Sequence, residues 1–563
     1  MVSPAFRRAL AFVAPYWRKL ALVACLSLVS TALALLLPYL SKSLIDRALA
    51  RHDPSALYRI VGLFALVSAA SFVLTALTGL RYTRVSADVL FDMRLALYRH
   101  LQRLSPRFYA RTPLGEILAR INNDVGEIQR VAAESLLAWA GNVLFLGGSI
   151  AAMCWLDVRL SIVGVAVVPV SVWALARVRP QLATRVKGVR EASAGVGSFL
   201  LETLQAIRLV VISNAQEREA QRFRDRNATF VNALMSMQLW SYLAGAVPGL
   251  VLSLGYAAVF IYGGHRVIAG TMTLGTFVAF MAYQMRLIQP VQALMGLYAS
   301  LATVQVSLAR VNELLDTPPD VVDPADALPL EHVDGCIEFE RVSLDFGRGQ
   351  VLHEASFAIA PGEHVAIVGP SGIGKSTLAD LLLRLIDPDQ GAIRIDGRDV
   401  RDIPLTDLRR HVVLVDQEPF VFHVSIAENI RYGRPEASDD DVRAAAHAAG
   451  VDAFVARFPD GYATIVGERG AALSAGERQR IAIARALVAD PAVLVLDEPS
   501  ASLDAASERQ VLAGYETVMR GRTVVLITHR QALAQAADRM LVVSPSGIVE
   551  QPVDQGSLAQ LFA

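Results

Sequence analysis

The sequence predicts an α-helical membrane bundle of six spans with long helical extensions, fused to an α/β domain. Three observations support this fold class. Hydrophobic residues make up 53% of the 563 residues and charged residues only 19%, a low share for a soluble protein. Apolar runs fill roughly the first 300 residues, whereas charged and turn residues dominate the remainder. After about residue 335, short β-rich runs alternate with helical segments, which is typical of an α/β domain.

Six stretches of the first part are apolar and long enough to cross a bilayer, which takes about 20 mostly apolar residues. They cover residues 20–40, 58–80, 135–155, 160–176, 241–263 and 274–297. Prolines interrupt the last three, and membrane helices tolerate proline where neighbouring groups satisfy the freed carbonyls. Residues 1–19 carry apolar and basic residues at helical spacing. They are either an interfacial helix or the lead-in to the first span.

Arginine-rich connections set the orientation of the spans. Residues 81–134 and 177–240 are long and basic, while the other connections are short and carry few positive charges. The positive-inside rule places both long connections and both termini in the cytoplasm. Their sustained helical periodicity predicts coupling loops built as extensions of the spans. We expect an integral protein of the bacterial plasma membrane.

A segment rich in proline and aspartate breaks every periodic pattern between the two parts. We therefore predict four segments: a lead-in of residues 1–19, a transmembrane domain of 20–315, a linker of 316–334 and a soluble domain of 335–563. A formal net charge of +0 gives no electrostatic basis for binding nucleic acid. Cys25, Cys154 and Cys336 form no CxxC pair, so neither a zinc site nor a disulfide framework is expected.

One charge lies within a predicted span. Arg286 is followed by Gln289 and Gln292 at three-residue steps, so the three share a broad helix face. A charge at that depth costs at least ~2.5 kcal/mol and usually faces a cavity or a partner. Because no Asp or Glu lies deep in the six stretches, we predict that Arg286 lines a transport cavity and favours an anionic or carbonyl-rich substrate. The alternative is a packing arginine bonded to backbone carbonyls.

A phosphate-binding loop follows the predicted strand 364–368. The pattern GxxxxGK[ST] directly follows a buried strand and precedes a helix, which is the context that a phosphate-binding loop requires. Its residues are Gly369, Pro370, Ser371, Gly372, Ile373, Gly374, Lys375, Ser376 and Thr377. Glycines allow consecutive N–H groups to face a phosphate, the lysine neutralises phosphate charge, and the Ser376 hydroxyl can bind Mg²⁺.

Two further strands end in residues suited to nucleotide hydrolysis. The apolar run 493–497 ends in Asp497, placed to hold Mg²⁺ through water, and is followed by Glu498, which can act as the general base toward water. The run 523–527 is followed by Thr528 and His529. Because open α/β sheets bind ligands at the carboxyl ends of their strands, His529 can reach a γ-phosphate.

With these motifs in view, residues 473–480, LSAGERQR, are similar to the LSGGQ signature of the ABC transporter superfamily. Residues 108–116, with Asn123 and Asp124, resemble the first intracellular loop of exporter-type half-transporters. The resemblance covers nearly the whole chain. It implies an ABC-type ATPase domain at residues 335–563, with ATP and Mg²⁺ as cofactors.

The resemblance also implies roles for single residues. Phe346 takes the place of the aromatic residue that stacks on adenine, and Gln417 matches the glutamine that touches Mg²⁺ and senses the membrane domain. Asp504 fits the aspartate at the dimer interface, while Glu498 and His529 match the catalytic glutamate and the switch histidine. Residues 467–470 resemble the loop that contacts the partner's coupling helix.

The signature departs from the family pattern at two positions. Its four nucleotide-facing residues, expected to act on the partner's ATP, are Ser474, Ala475, Gly476 and Glu477. Ala475 replaces a glycine and would be strained, by about 1–2 kcal/mol, only at positive φ. Glu477 replaces a glutamine and adds a negative charge within reach of a nucleotide. We therefore expect reduced affinity or slower turnover.

The family mechanism implies a dimer, because each ATP is held between one subunit's phosphate loop and the other's signature. The partner is a second half-transporter, in a homodimer or a heterodimer, surrounded by membrane lipids. Fused domains of this layout usually export a small molecule, lipid or peptide by alternating access. An importer on the same fold, for example of a siderophore, and an ATP-gated channel are the alternatives. The transported substrate stays open.

Overall fold

The computed structural model describes residues 4–324, 327–346, 350–370, 372–497, 515, 517–544 and 547–553. The chain divides into two compact units. The first comprises Met1–Leu101 and Leu114–Thr317, and the second comprises Gln102–Pro113 and Pro318–Ala563. A short piece of the first long connection therefore belongs to the same unit as the C-terminal part of the chain.

The described residues of the first unit form helices joined by short turns. Numbered in chain order, with α4 lying in the second unit, its helices are α1 Pro4–Val13, α2 Trp17–Ser43, α3 Pro54–Leu101, α5 Leu114–Ala119, α6 Val125–Leu156, α7 Val158–Gln205, α8 Ile207–Ile212, α9 Gln216–Ile268, α10 Leu274–Arg286 and α11 Ile288–Asp316. Helix α7 packs along α9, α2 along α3, and α6 along α11. The N-terminal segment is a separate helix, and Arg8 joins it to Asp316 in α11 at 2.6 Å.

Five stretches of the described chain are long and apolar enough to cross a membrane. They are Leu10–Leu49, Pro54–Leu101, Trp139–Leu156, Val158–Gln205 and Gln216–Ile268. Helices α3 and α7 each have 48 residues, or roughly 72 Å at 1.5 Å per residue. Because the hydrocarbon core is about 30 Å thick, these helices continue well beyond it, as the periodicity predicts.

The predicted sixth span coincides with a broken helix. Helix α10 has 13 residues and ends at Arg286, and α11 begins at Ile288. At the break, the Leu287 N–H donates to Gln284 O three residues earlier, which makes a tighter turn than an α-helix has. Pro290 has no N–H, so it cannot donate to the carbonyl four residues earlier. Six spans and the cytoplasmic location of both termini therefore remain predictions.

Asp46 fixes the start of α10. Its carboxylate accepts hydrogen bonds from Gly275 N at 3.0 Å and from Thr273 Oγ1 at 2.8 Å, and it pairs with Lys42 at 3.1 Å. The Thr273 hydroxyl itself caps the helix by accepting from Thr276 N. This cluster joins the turn after α2 to the first turn of α10.

The second unit contains two sheets, which confirms the predicted α/β domain. An antiparallel sheet has the order β2-β1-β4-β5, and a six-stranded sheet has the order β10-β9-β3-β8-β7-β6. The strands are β1 Ile337–Asp345, β2 Gln350–Ile359, β3 His364–Val368, β4 Gln390–Ile395, β5 Arg398–Asp399, β6 Val412–Val415, β7 Val493–Asp497, β8 Thr523–Ile527, β9 Arg539–Ser544 and β10 Gly547–Pro552.

The central strands of the larger sheet are parallel and buried. Strand β3 pairs in parallel with β8 and β9, and β7 pairs in parallel with β6 and β8. Both faces of these strands are covered, which explains their continuous apolar sequences. The described helices of this unit are α4 Pro106–Arg111, α12 Lys375–Leu382, α13 Leu405–His411, α14 Ile426–Arg431, α15 Asp439–Ala448, α16 Asp452–Val455, α17 Ala475–Ala489 and α18 Gln531–Ala534.

We predict that Asp46→Ala lowers the apparent melting temperature of the purified protein by about 2–4 °C, because it removes the acceptor of the Gly275 amide at a cost of about 1 kcal/mol. Scanning fluorimetry in detergent measures the change. Glu191→Ala is the control, since Glu191 is an exposed residue 3.7 Å from Lys187 and such pairs contribute little. Equal shifts in the two variants would contradict the role assigned to Asp46.

Candidate functional site

The phosphate loop joins β3 to α12 through a backbone that requires glycine. Gly369, Gly372 and Gly374 have φ of +154°, +79° and +102°. A Cβ on Gly369 would lie 2.5 Å from Val543 O, and one on Gly374 would lie 2.4 Å from Val351 Cγ1. Helix α12 begins directly after this turn, so its unpaired N–H groups and its positive end lie at the loop. The described part of the loop thus has the form of an anion cradle.

Lys375 and His529 meet at this loop although 154 residues separate them. The Lys375 ammonium donates to Gly369 O and Pro370 O, both at 2.9 Å, and lies 3.0 Å from His529 Nε2. A donating ammonium requires the Nε2 lone pair to accept, which places the imidazole proton on Nδ1. The parallel pairing of β3 with β8 produces this contact, because both residues follow the carboxyl ends of adjacent strands.

Acidic side chains converge beside the same loop. Asp497 ends β7 and is buried. Burial and the nearby carboxylates of Asp416 and Asp497 raise the pKa of Asp380, on α12, to about 6. Carboxylate, hydroxyl and amide oxygens are the donors that Mg²⁺ prefers. The side chains of Asp497, Ser376 and Gln417 therefore fit a magnesium ion, which when bound would neutralise phosphate charge.

Arg107 covers one side of Phe346, the residue expected to stack on adenine. Its guanidinium lies 5.2 Å from the centroid of the Phe346 ring. A cavity of about 660 Å³ adjoins the pair, with Asp380 among its lining residues. Arg107 was not predicted as a site residue. The signal in the sequence that could have identified Arg107 is its position directly before residues 108–116, which resemble the first intracellular loop of exporter-type half-transporters.

The signature helix α17 shows how the two departures from the family pattern are accommodated. Ala475 is the first residue of a helix and does not have positive φ, so the condition for strain is not met. Ser474 Oγ accepts from Glu477 N at 3.3 Å, and a Glu477 carboxylate oxygen accepts from Ser474 N at 2.8 Å, which makes a capping box. The other carboxylate oxygen forms an ion pair with Arg457.

Glu477 is therefore compensated within its own domain. It is buried, with 6% of its surface exposed, and its charge is balanced by Arg457. The expected effect of Glu477 on nucleotide affinity or turnover stays a prediction, and the structure adds that its carboxylate is bound within its own domain. Sequence reasoning missed Arg457 because 20 residues separate the partners and the pairing depends on tertiary structure.

The other predicted residues differ in what the structure describes of them. Ser371, Glu498 and Asp504 lie outside the described residues. Gln417 follows β6 as an exposed residue, Gly467 has φ of +76°, and Glu468–Gly470 form a single turn. The roles of these residues in catalysis, dimer contact and coupling stay predictions.

A second candidate site lies in the first unit. A cavity of about 870 Å³ is lined mainly by polar residues: Val23, Ser27, Ser30, Thr31, Thr75, Thr78, Gly79, Tyr82, Gly141, Asn142, Phe145, Arg286, Gln289 and Pro290. Arg286 and Gln289 thus share the cavity, whereas Gln292 is exposed and is not among the lining residues. Arg286 also donates to Ala34 O at 3.4 Å, and both interpretations of its role stay predictions.

The hydroxyl groups of this cavity were not predicted. They come from α2 and α3, where Ser30 Oγ lies 2.9 Å from Thr75 Oγ1. Serine and threonine are common in apolar spans, so their type alone carries little signal. Their recurrence every three or four residues along two neighbouring spans could have indicated a shared face.

The phosphate loop, the acidic strand end and the helical unit define an ATP-hydrolysing membrane transporter. The chain belongs to the ABC transporter superfamily: residues 20–291 match the ABC transporter transmembrane region and residues 352–501 match the ABC transporter family. It is 32% identical to the uncharacterized ABC transporter ATP-binding protein YknV of Bacillus subtilis (strain 168), over 99% of this chain and 92% of that protein.

Two other similarities concern exporters and flippases. The chain is 30% identical to the ATP-dependent lipid A-core flippase of Syntrophus aciditrophicus (strain SB), over 99% of this chain and 92% of that protein. The solved structure of a bacterial Atm1-family ABC exporter with ATP bound has a TM-score of 0.80 and 29% identity, and the match covers 97% of both chains. These similarities confirm the exporter-type fold and ATP-driven export coupled to hydrolysis.

We predict that Arg457→Ala lowers ATPase activity at limiting ATP by about fivefold, because it leaves the Glu477 charge uncompensated at the start of α17. Adding Glu477→Gln should restore activity to near the parental value, since no charge then needs a partner. Steady-state ATPase assays across ATP concentrations separate effects on KM and kcat. Arg443→Ala, on the exposed side of α15, is the control. No recovery in the double variant would contradict this coupling.

Proposed function

We propose that this chain exports an anionic amphipathic substrate as a dimer that uses ATP and Mg²⁺. The observation that carries the substrate class is the cavity around Arg286 in the transmembrane unit, which combines polar and apolar lining residues. One guanidinium and several hydroxyls offer donors to an acceptor-rich head group. The described lining residues include no Asp or Glu that would balance the cation.

The size of the cavity agrees with this proposal. About 870 Å³ lies within the range of about 300–1,000 Å³ typical of sites for small organic ligands. A relative, the ATP-dependent lipid A-core flippase of Syntrophus aciditrophicus, is named for moving lipid A-core, which supports a lipid-like substrate for this chain. For this chain we propose the shared chemistry, an anionic head group with an apolar body.

In the ATP site, we assign phosphate binding to Lys375 and to the backbone of the loop that ends at Gly374. Ser376, Gln417 and Asp497 are proposed to hold Mg²⁺, which supplies neutralisation of the β- and γ-phosphates when bound. Glu498 would take the proton from the attacking water, and His529 would donate a hydrogen bond to the γ-phosphate. The contact between Lys375 and His529 supports this division of roles, since it brings the two predicted γ-phosphate ligands together.

The proposed assembly is a dimer in which each chain supplies one phosphate loop and one signature helix. All predicted catalytic residue types are present in the sequence, which fits a homodimer with two working sites. A heterodimer with this chain as its competent member is the alternative. We propose six spans, with the broken pair α10 and α11 as the sixth, and with both termini in the cytoplasm.

Transport into proteoliposomes tests this function. Chains inserted with their ATP sites outward should accumulate carboxyfluorescein, an anionic dye, when ATP and Mg²⁺ are added outside. The cationic dye rhodamine 123 should accumulate much less, and Lys375→Ala should accumulate neither. Equal uptake of both dyes would show that the proposed anionic preference is wrong. ATP-dependent loss of dye from preloaded vesicles would show that the protein imports and does not export.

We predict that Arg286→Gln reduces carboxyfluorescein-stimulated ATPase activity by about tenfold and leaves activity without dye within about twofold, because the guanidinium supplies the cavity's cation. Gln292→Leu is the matched control, since Gln292 lies on the same span outside the cavity. Titration of dye at saturating ATP measures both effects. Unchanged stimulation in Arg286→Gln would remove the basis for the anionic substrate class.

A further inference from the structure

A second, smaller cavity lies between the start of α2 and the end of the apolar stretch of α3. Its volume is about 510 Å³. The residues that line it are Lys19, Leu22, Val23, Arg81, Arg84 and Val85. It therefore combines three basic side chains with an apolar wall, and the ATP cycle described above uses none of these residues.

The positive charge of this cavity is only partly compensated. Lys19 pairs with Asp88 at 3.1 Å and lies 5.1 Å from the Tyr16 ring. Arg81 and Arg84 are exposed, and among the described residues neither forms an ion pair with an acidic side chain. Two arginines three residues apart on one helix face repel each other. An anion from outside the protein would relieve this repulsion.

The apolar wall distinguishes the cavity from a site for a soluble anion. Val23 and Val85 are almost fully buried, with 1% and 3% exposure, and form its inner side. Leu22 is exposed on the outer surface of α2, where the apolar stretch continues into the predicted span. A ligand that fills both parts needs a charged group and an adjoining hydrocarbon segment.

The depth of the cavity matches the boundary between lipid and water. Lys19 immediately precedes the predicted first span at residues 20–40, and Arg81 immediately follows the second at residues 58–80. Trp17, exposed at the start of α2, is a residue type enriched at this boundary. In the proposed topology, the cavity therefore faces the head groups of the cytoplasmic leaflet.

We propose that Lys19, Arg81 and Arg84 bind the phosphate of an anionic lipid from the cytoplasmic leaflet, with the lipid's hydrocarbon against Leu22 and the valine wall. The proposal rests on the topology given under the proposed function and not on the transported substrate. Basic pockets between membrane helices on the cytoplasmic side are suited to anionic head groups. Val23 lines this cavity and the larger one, so the bound lipid lies one side chain away from the proposed substrate site.

Native mass spectrometry of the full-length dimer in detergent, titrated with phosphatidylglycerol or phosphatidylcholine, tests this site. We expect phosphatidylglycerol to bind more tightly than phosphatidylcholine, and Arg81→Gln with Arg84→Gln to weaken phosphatidylglycerol binding about tenfold. Arg177→Gln with Arg179→Gln is the matched control. It removes two charges that directly follow the predicted fourth span but do not line the cavity.

Two further measurements keep the result interpretable. Arg81→Lys with Arg84→Lys preserves the charge and should retain most of the phosphatidylglycerol binding. Loss of lipid binding in this variant would mean that packing rather than charge is responsible, and it would overturn the proposal. Glycerol 3-phosphate at tenfold excess should not displace the lipid; displacement would assign the cavity to soluble phosphates. Equal loss in the matched control, or equal binding of the two lipids by the parent, would also overturn it. Because lipid binding is measured without ATP, a failure of transport leaves this test unaffected.

Discussion

The parallel pairing of β3, β7 and β8 is the constraint on which the ATP site depends. Parallel strands bring their carboxyl ends to one edge, and here that edge collects the phosphate loop, Asp497 and His529 from distant parts of the sequence. A shift of one residue in this register would turn these side chains to the other face of the sheet. Burial of both sheet faces opposes such a shift. The apolar sequences of these strands therefore determine the positions of the ATP-site residues as well as the packing of the core.

The first unit faces a different constraint, because a bilayer offers no partners to backbone polar groups. Continuous helices meet this constraint because they pair their backbone groups internally. Helices α3, α7 and α9 continue without interruption beyond the predicted spans. Polar side chains within the spans are favoured where they find partners. The Ser30–Thr75 contact and the bond from Arg286 to Ala34 O show how the cavity satisfies part of its own polarity.

The predictable features were those that local sequence determines. The phosphate loop was recognisable because its glycines must adopt φ values that other residues avoid, and the long helices were recognisable from periodicity. The break at Leu287 was missed, since a proline within a span can be absorbed or can end a helix, and only packing decides which. The pairing of Glu477 with Arg457 and the contact of Arg107 with Phe346 were missed because each joins separate segments of the second unit.

Arg286 is the last residue of α10, and this position has a mechanical consequence. Carbonyl groups at a helix C-terminus carry partial negative charge, so the end of α10 itself acts as a counter-charge for the guanidinium. The helix break directly follows this residue, so the position of the guanidinium depends on the angle between α10 and α11. Any bend at Leu287 turns the cation toward or away from α2, which ties the local electric field of the cavity to the curvature of one helix.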